Sequence, residues 1–514
     1  MNSNQSDFNF SQEELIKNVT DFFGLSQCEI QNISLEKPAG SQSTHILIIL
    51  TLKETNTECP YCHSERTGIH AWTERTINYS LHSGRKTDIV LKLRRYRCKN
   101  CRKTFMQYNP FSIKQGRVSV ETIVNILKDL QKPSATFTSA GKKYNLSATT
   151  VQNIFDTRVN MTRLPLSEYI CIDENYAFRS NRSKYVCVLV DFLSEDVIDV
   201  LPNRFKSELI RYFRDIPLEE RKRVKAVGID MYPNYRDVIR ECFPSSTKIV
   251  VDRFHLVKEF NNQVDTIRLT ITRRNEREAA ALKKEIEQLK EKTDFKSEKV
   301  QEEYRRLTAA RDQFMQKIYL LKKFNWILYK NPSDRVFDEN KDKKYNSRLA
   351  RYLNFAEIRR LLLSLDPSLE EAYGFREGLT DFFSCQSAEE GSDVLEALVD
   401  QMAKSGAKEM RGFSRTMKRW RTEILNSLEI IDSFPEVQKD GSVKIRNRHL
   451  HNGVIERRNK EIKVLKSVSC GYTNFARMRQ RILYVLRSDP SFSIEEAYER
   501  KTIHRRNNEA DDST

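Results

Sequence analysis

The chain has 514 residues, more than one ordinary core accommodates, so three or four domains or one core with large insertions are expected. Lys and Arg number 88 against 71 Asp and Glu, and a net charge of +17 favours a polyanionic partner, nucleic acid ahead of an anionic membrane. No apolar run is long enough for a membrane helix, the first 25 residues lack the pattern of a secretion signal, and ten Cys suit thiols or metal ligands better than a disulfide framework, so a soluble, non-secreted protein is expected.

After a polar N-terminal segment, residues 1–43, THILIILTLKE at 44–54 is apolar and β-branched and reads as a strand leading into ECPYCHSERTGIH. TDIVLKLRRYRCKNCRKTF then runs a strand into a second Cys pair. The 35 residues between Cys62 and Cys98 leave room for a β-hairpin, so 44–108 is expected to be a small β-rich, zinc-ribbon-like module. Cys59-Pro-Tyr-Cys62 and Cys98-Lys-Asn-Cys101 each put two thiolates on a tight knuckle, and two knuckles complete a closed tetrahedral site for structural Zn²⁺. The bland alternative is four unrelated thiols; His63 and His70 are weaker ligand candidates. The basic run RRYRCKNCRK, with Arg94, Arg95, Arg97, Lys99 and Arg102, suggests that the module touches phosphates.

Residues 112–162 change to helical spacing. VSVETIVNILKDL sets Val120, Ile123, Ile126, Leu127 and Leu130 on one face. TFTSAGKKYNLSATTVQNIFDTRV reads as two short helices split by NLS, with Ser147 as an N-cap. Ala140 and Gly141 are small where two helices must approach, so 136–159 resembles a helix-turn-helix. ATTVQNIFDTRV is its recognition helix, with Thr149, Thr150, Gln152 and Asn153 as candidate DNA contacts. A helical pair that merely packs on a core is the alternative.

From 166 to 260, EYICIDENYAF, KYVCVLVDF and DVIDVLPN are strand-like, FKSELIRYFRDI helical, VKAVGID a strand, YPNYRDVIRECF a helix and TKIVVDRFH a strand. That βββαβαβ order is the order of an RNase H-like α/β core. Asp173 and Asp230 end the first and fourth of these strands, which lie side by side in such a sheet. Carboxylates beside apolar runs need compensation, and a divalent cation supplies it. Strand alternation is expected to turn Glu174 to the opposite face.

The stretch 261–445 is highly charged and reads as a large all-helical insertion, a helical hairpin or short coiled coil, in which Trp326 and Trp420 are expected to be buried rather than stacked on a base. Residues 446–490 return to the core as helices, before a polar tail at 491–514. If 452–466 is helical, Asn452, Glu456, Asn459 and Lys463 share one polar face, beside a buried stripe of Ile455, Ile462 and Leu465. Glu456 can then be the third acid, with Arg457, Arg458, Lys460 and Lys463 serving a DNA backbone. Two Mg²⁺ ions on three such carboxylates can activate a water or a 3′-hydroxyl and stabilise the leaving oxygen in phosphodiester transfer. A solvated charged helix is the alternative.

The zinc knuckles, the helix-turn-helix pattern, ICIDENYAF, VGIDMYPNYRDVIRECFPSSTKIVVDRFHLVK and HNGVIERRNKEIKVLKSVSCGYTNFARMRQRIL together resemble the bacterial insertion-sequence transposases of the L-three family, over most of 40–490. That family has a DDE catalytic domain. The resemblance implies that Asp173, Asp230 and Glu456 match the metal-binding triad, with Mg²⁺ or Mn²⁺ as catalytic cofactor and Zn²⁺ only structural. Asp252-Arg-Phe-His255 looks like a motif that accompanies the triad in related transposases, which gives His255 a supporting role. Also implied are double-stranded DNA as partner (transposon ends and target), a homodimer or larger assembly, no membrane, and a cytoplasmic, nucleoid-associated location. The expected function is a DNA transposase that binds the terminal inverted repeats of its element and cuts and joins strands. The alternatives are a non-catalytic or domesticated DNA-binding regulator and a scaffold of charged helices.

Overall fold

The computed structural model describes residues 25, 28–36, 45–53, 57–82, 85–113, 116–176, 183–291, 297–438 and 441–494. They divide into two compact units, one running up to Arg163 and resuming at Lys460, the other from Leu164 to Asn459. Among the described residues no helix is long and apolar enough to cross a membrane.

In the first unit β1 (Cys28–Glu36), β2 (His45–Leu52), β3 (Thr67–His82), β4 (Arg85–Cys98) and β5 (Thr104–Met106) form one sheet, in the order β1-β2-β4-β3 with β5 also on β4. Alternation drives it: Ile46, Ile48, Leu50 and Leu52 of β2 pack with Ile89, Leu91 and Leu93 of β4 and with Ile77 of β3. The long β3–β4 hairpin pairs from Thr67 opposite Cys98 to His82 opposite Arg85, with register shifts between Ile69 and Ala71 and between Asn78 and Leu81. β1 falls in the stretch expected to be a polar N-terminal segment. It is an edge strand whose only buried residue is Cys28, so it offers almost no apolar alternation to read.

Three helices follow: α1 (Val120–Asp129), α2 (Phe137–Tyr144) and α3 (Ala148–Arg158). Ser119, Thr136 and Ser147 cap them, each accepting a backbone N–H three residues on, at 3.0, 2.9 and 3.0 Å. Between α2 and α3 the chain turns through Asn145 at φ 52°. A Cβ on Gly141 would come 2.7 Å from the Leu146 carbonyl oxygen and 3.3 Å from the Ala148 nitrogen, so the close approach read from Ala140-Gly141 is real.

The second unit opens with β6 (Tyr169–Asn175), β7 (Val186–Asp191) and β8 (Val197–Leu201), then α4 (Lys206–Arg214), β9 (Ala226–Ile229), α5 (Pro233–Cys242) and β10 (Lys248–Val251), with a four-residue helix, Leu218–Arg221, before β9. The sheet order is β10-β9-β6-β7-β8. β6, β7 and β8 pair antiparallel, whereas β9 runs parallel to β6 and β10 parallel to β9. β7 and β8 are buried along nearly their whole length, which is why they read as continuous apolar runs.

From β10 the chain passes into α6 (Arg253–Lys290), 38 residues long, which packs along α7 (Glu298–Lys323). A small hairpin, β11 (Lys344–Asn346) with β12 (Arg351–Leu353), precedes α8 (Phe355–Leu363), α9 (Pro367–Ser384), α10 (Ala388–Ala403) and α11 (Lys408–Arg419). A second hairpin, β13 (Ile430–Val437) with β14 (Val443–His449), closes the stretch. The all-helical expectation for 261–445 is therefore corrected. Asp440-Gly441 between β-branched residues is a hairpin signal, with Gly441 at φ 82°, that the surrounding charges hide. Trp420 is buried and Trp326 half-buried, edge-on to Phe355.

The closing helices are α12 (Gly453–Val468), within which the division between units falls, and α13 (Phe475–Leu486). α13, expected with the catalytic core, packs instead on α1 and α3 of the first unit. Arg477 clasps Asp156 with Nε at 3.0 Å and Nη2 at 2.6 Å, Tyr484 donates its hydroxyl to the Leu127 carbonyl at 3.0 Å, and its ring meets Phe155 edge-on. The apolar stripe of an amphipathic helix says that it packs, not on what.

Gly141→Ala should lower the stability of the first unit by about 1–3 kcal/mol, because the clashing atoms are backbone. Thermal unfolding followed with zinc content would read it, and an unchanged midpoint would show that the turn can yield.

Candidate functional site

The long hairpin brings the cysteine knuckles together, one before β3 and one after β4. All four Sγ atoms lie within 4.8 Å of one another, with Cys59–Cys101 and Cys62–Cys98 both at 3.6 Å. Tetrahedral zinc–thiolate bonds would set such sulfurs about 3.8 Å apart, so the donors fit. The Cys101 and Asn100 backbone N–H groups donate to Cys98 Sγ at 3.4 and 3.3 Å and hold that thiol down at about 6. His63 is turned away to Glu58, Nδ1 to Oε1 2.7 Å, and His70 is exposed; neither joins the sulfurs.

In the second unit the parallel register sets Cys171 opposite Gly228, so two steps further Asp173 and Asp230 leave the same edge of the sheet. Burial lifts the Asp173 carboxyl to about 7, with Asp230 and Glu174 adding to the effect and the Glu174 N–H and His255 opposing it. Burial, then Glu174, also raises Asp230, whose Oδ1 accepts the Tyr232 N–H at 3.0 Å. Glu174 belongs to this group: a carboxylate oxygen of each of the three lies within 4.8 Å of the others. The expectation that alternation removes Glu174 is thus corrected. Its partners, Arg204 and Tyr235, differ from those of Asp173, but at a strand end a Glu side chain reaches far enough for its oxygen to close up on the aspartates.

Glu456 falls in a second group, with Asp252 and His255, rather than on the aspartates. His255 Nε2 stands 3.8 Å from Glu456 Oε1 and is buried without a hydrogen bond. Asp252 caps α6 through the His255 N–H at 3.3 Å and accepts the Asn452 N–H at 3.0 Å. Two features connect the groups. A protonated His255 would lower the carboxyls of both Asp173 and Asp230. Asn459, one turn beyond Glu456 on α12, donates its amide to Asp173 Oδ2 at 2.8 Å, while Asn175 donates to both the Asn459 carbonyl and Oδ1, at 2.8 and 2.9 Å. Ile455, Ile462 and Leu465 are buried, as the helical spacing predicts. The spacing puts Asn459 on the polar face of Glu456 but gives it no role, and Asn175 escapes sequence reasoning as a site residue, since an amide beside two acids in a strand carries no distinguishing signal.

The candidate DNA contacts divide. Arg95, Arg97, Lys99 and Arg102 are exposed, but Arg94 is only 6% exposed, with Nη1 on the Leu52 carbonyl at 2.8 Å and the guanidinium over Trp72. Arg94 is therefore a packing residue, because its position on β4 points it into the sheet. On α3, Thr149 and Asn153 are exposed and Gln152 half-buried, while Thr150 shares a hydroxyl bond with the cap Ser147 at 2.8 Å. Lys460 and Lys463 are exposed, but Arg457 pairs with Glu195 and Arg458 Nε donates to the Glu195 carbonyl at 2.8 Å.

A family model described as transposase, of the DDE ISL3 group, matches residues 170–482, and one described as zinc-finger of transposase IS204/IS1001/IS1096/IS1165 matches 55–101. A zinc-finger module joined to a DDE transposase domain is the class these matches define. The chain belongs to the ISL3 family of transposases. Over 103 residues, 20% of its length, it is 32% identical to the transposase for insertion sequence element IS1001 of Bordetella parapertussis, and that match spans 25% of the relative.

Two outcomes follow, one for the sulfur cluster and one for Asp173. Purified protein should hold about one zinc per chain and lose it in Cys98→Ser; equal zinc in the variant would sink the four-cysteine site. For Asp173, a folded-state pKa of about 7 against the ordinary 3.8 of the side chain means that the protonated form favours folding, so metal-free protein loses stability as pH rises from about 4 through 7. Asp173→Asn should remove that loss and gain on the order of 1–3 kcal/mol near pH 8 in chelator. Parallel pH profiles of unfolding in the two proteins would contradict it.

Proposed function

We propose that the chain is a DNA transposase that binds the terminal inverted repeats of its insertion sequence and cleaves and transfers strands at Asp173, Asp230 and Glu456. The observation that carries this reading is a buried aspartate beside a half-buried one at neighbouring strand ends, with Asp173 tied by Asn459 to the helix that bears Glu456. An RNase H-like core is supported by the sheet order, three antiparallel strands continued by two parallel ones, and the segment between β10 and α12 is then an insertion.

The donors suit Mg²⁺ or Mn²⁺: they are hard carboxylate oxygens in a place where burial makes unneutralised charge costly. Such an ion, when bound, supplies the charge that activates a water or a 3′-hydroxyl and stabilises the leaving oxygen. The protein's own residues do the arranging. Asn459 holds one oxygen of Asp173 and so fixes how that carboxylate is presented to a ligand. Arg204 neutralises Glu174, the fourth carboxylate, so that it competes less for the cation. His255, beside Glu456, is placed to orient that carboxylate or a substrate phosphate. The zinc module and α3 serve end recognition, through Arg95, Arg97, Lys99 and Arg102 and through Thr149, Gln152 and Asn153. Lys460 and Lys463 serve the backbone near Glu456. Pairing of two ends calls for a homodimer or larger assembly, and DNA as substrate for a location in the cytoplasm at the nucleoid. A regulator without catalysis would have no use for two carboxylates that their own burial destabilises.

Labelled duplexes carrying an element end should be nicked by the wild type in Mg²⁺. Glu456→Gln should bind the same ends but cleave them slower by on the order of a hundredfold or more. Normal cleavage by the variant would remove Glu456 from the triad, and a wild type that binds ends yet never nicks them would favour the regulator.

A further inference from the structure

At the base of the β13–β14 hairpin lies a cleft of about 410 Å³, lined by Arg253, Arg446, Arg448, His449, His451 and Phe434 together with Asn447 and Leu450. This is room for one small organic unit. No acid lines it. Two of the arginines are fixed by carbonyls rather than by ion pairs. Arg253 donates Nη2 to the Ser427 carbonyl at 2.7 Å and sits over the Phe383 ring, and its Nε is buried without a partner. Arg448 donates Nη2 to the Phe192 carbonyl at 3.1 Å and lies over the ring of Phe192 at 4.6 Å. Among the described residues neither forms an ion pair, and Asp252, next to Arg253 in the chain, commits its oxygens to the His255 and Asn452 amides. Arg446 forms an exposed pair with Glu436, a weak and exchangeable contact.

The other lining groups suit a base. His449 Nδ1 is 3.0 Å from the Glu429 carbonyl, so that nitrogen carries the proton; burial and then Arg253 hold its pKa below the usual value, and the neutral ring offers Nε2 as an acceptor. His451 is the reverse, with Nδ1 accepting the Gly453 N–H at 3.0 Å, which leaves Nε2–H as a donor in the neutral ring. Phe434 is 41% exposed, an aromatic face on the rim. A duplex backbone phosphate would use the guanidinium charges alone. An unpaired nucleotide uses everything: phosphate on guanidinium, ring on Phe434, base edge on the imidazoles. The cleft also adjoins the carboxylates in the chain, since Arg253 follows Asp252 and His451 precedes Asn452, whose N–H bonds Asp252.

We propose that this cleft binds one unpaired nucleotide of a DNA strand whose neighbouring phosphodiester lies at the carboxylates. The proposal rests on the transposase reading for its second half, and on the cleft alone for its first.

The test uses the full chain with Asp173→Asn to silence cleavage, and two labelled duplexes that differ only in having paired ends or two unpaired nucleotides at one end. The unpaired form should bind about tenfold tighter, the scale of one stacked base. Phe434→Ala should bring that ratio to about one, and Phe434→Tyr, which keeps the ring, should restore it. A ratio unchanged by Phe434→Ala, or a wild-type ratio of one, overturns the proposal. Nicking by the otherwise unaltered protein is read separately. A chain that nicks without preferring unpaired nucleotides loses the cleft alone. A chain that shows the Phe434-dependent preference and never nicks keeps the cleft and loses the catalytic reading.

Discussion

A carboxylate buried at the end of a central strand is the constraint around which the second unit is arranged. Among the described residues no Lys or Arg pairs with Asp173; its side-chain partner is the Asn459 amide, 2.8 Å away. That amide must be aimed, and Asn175 aims it by donating to Asn459 twice. The start of α12 must be held as well, and Asp252 holds it through the Asn452 N–H while also capping α6. Gly228 makes room: a Cβ there would sit 3.1 Å from Asn452 Oδ1 and 3.3 Å from Cys171 Sγ. One buried charge is thus surrounded by linked hydrogen bonds that fix β6, α6 and α12 to one another, and such networks rigidify when satisfied. Asn452 keeps both side-chain atoms buried without partners, so the arrangement is incomplete by itself.

Much of this frame was legible in the sequence because it follows from periodicity. Apolar runs marked β6 to β10 and their order, since central strands buried on both faces leave nearly continuous Val, Ile and Leu. The 4, 3, 4 spacing of Asn452, Glu456, Asn459 and Lys463 marked a helix with one polar face, and that face does meet the strand-end acid. Paired Cys-x-x-Cys knuckles foretold the sulfur cluster because tetrahedral chemistry demands four thiolates close together. Ala140-Gly141 marked a tight helical approach because only small residues fit one.

The rest was hidden for identifiable reasons. β1 is an exposed edge that needs few apolar residues. α13 shows a stripe but not its partner, and partner choice is decided by particular bonds such as Arg477 to Asp156. The β13–β14 hairpin carries its turn signal inside a charged stretch. Glu174 shows the limit of alternation: facing is set at Cα, whereas a long side chain at a strand end can bring its oxygen back toward its neighbours'.

Net charge is the least transferable of the sequence signals, and the structure explains why. A surplus of +17 points to a polyanion, yet many of the cations are committed inside the fold. Arg94 is spent on the Leu52 carbonyl, Arg481 on the Ala135 carbonyl, and Arg268 on Asp265 and the Leu321 carbonyl. These guanidiniums stabilise chain crossings. Cations able to meet DNA are of two other kinds: exposed ones beside the zinc knuckles and on α12, and ones that are held by carbonyls yet border a cleft, as Arg253 and Arg448 do. The second kind is the more informative, because a carbonyl fixes the geometry of a guanidinium without cancelling its charge, and what remains uncancelled beside an open cleft is an affinity for an anion.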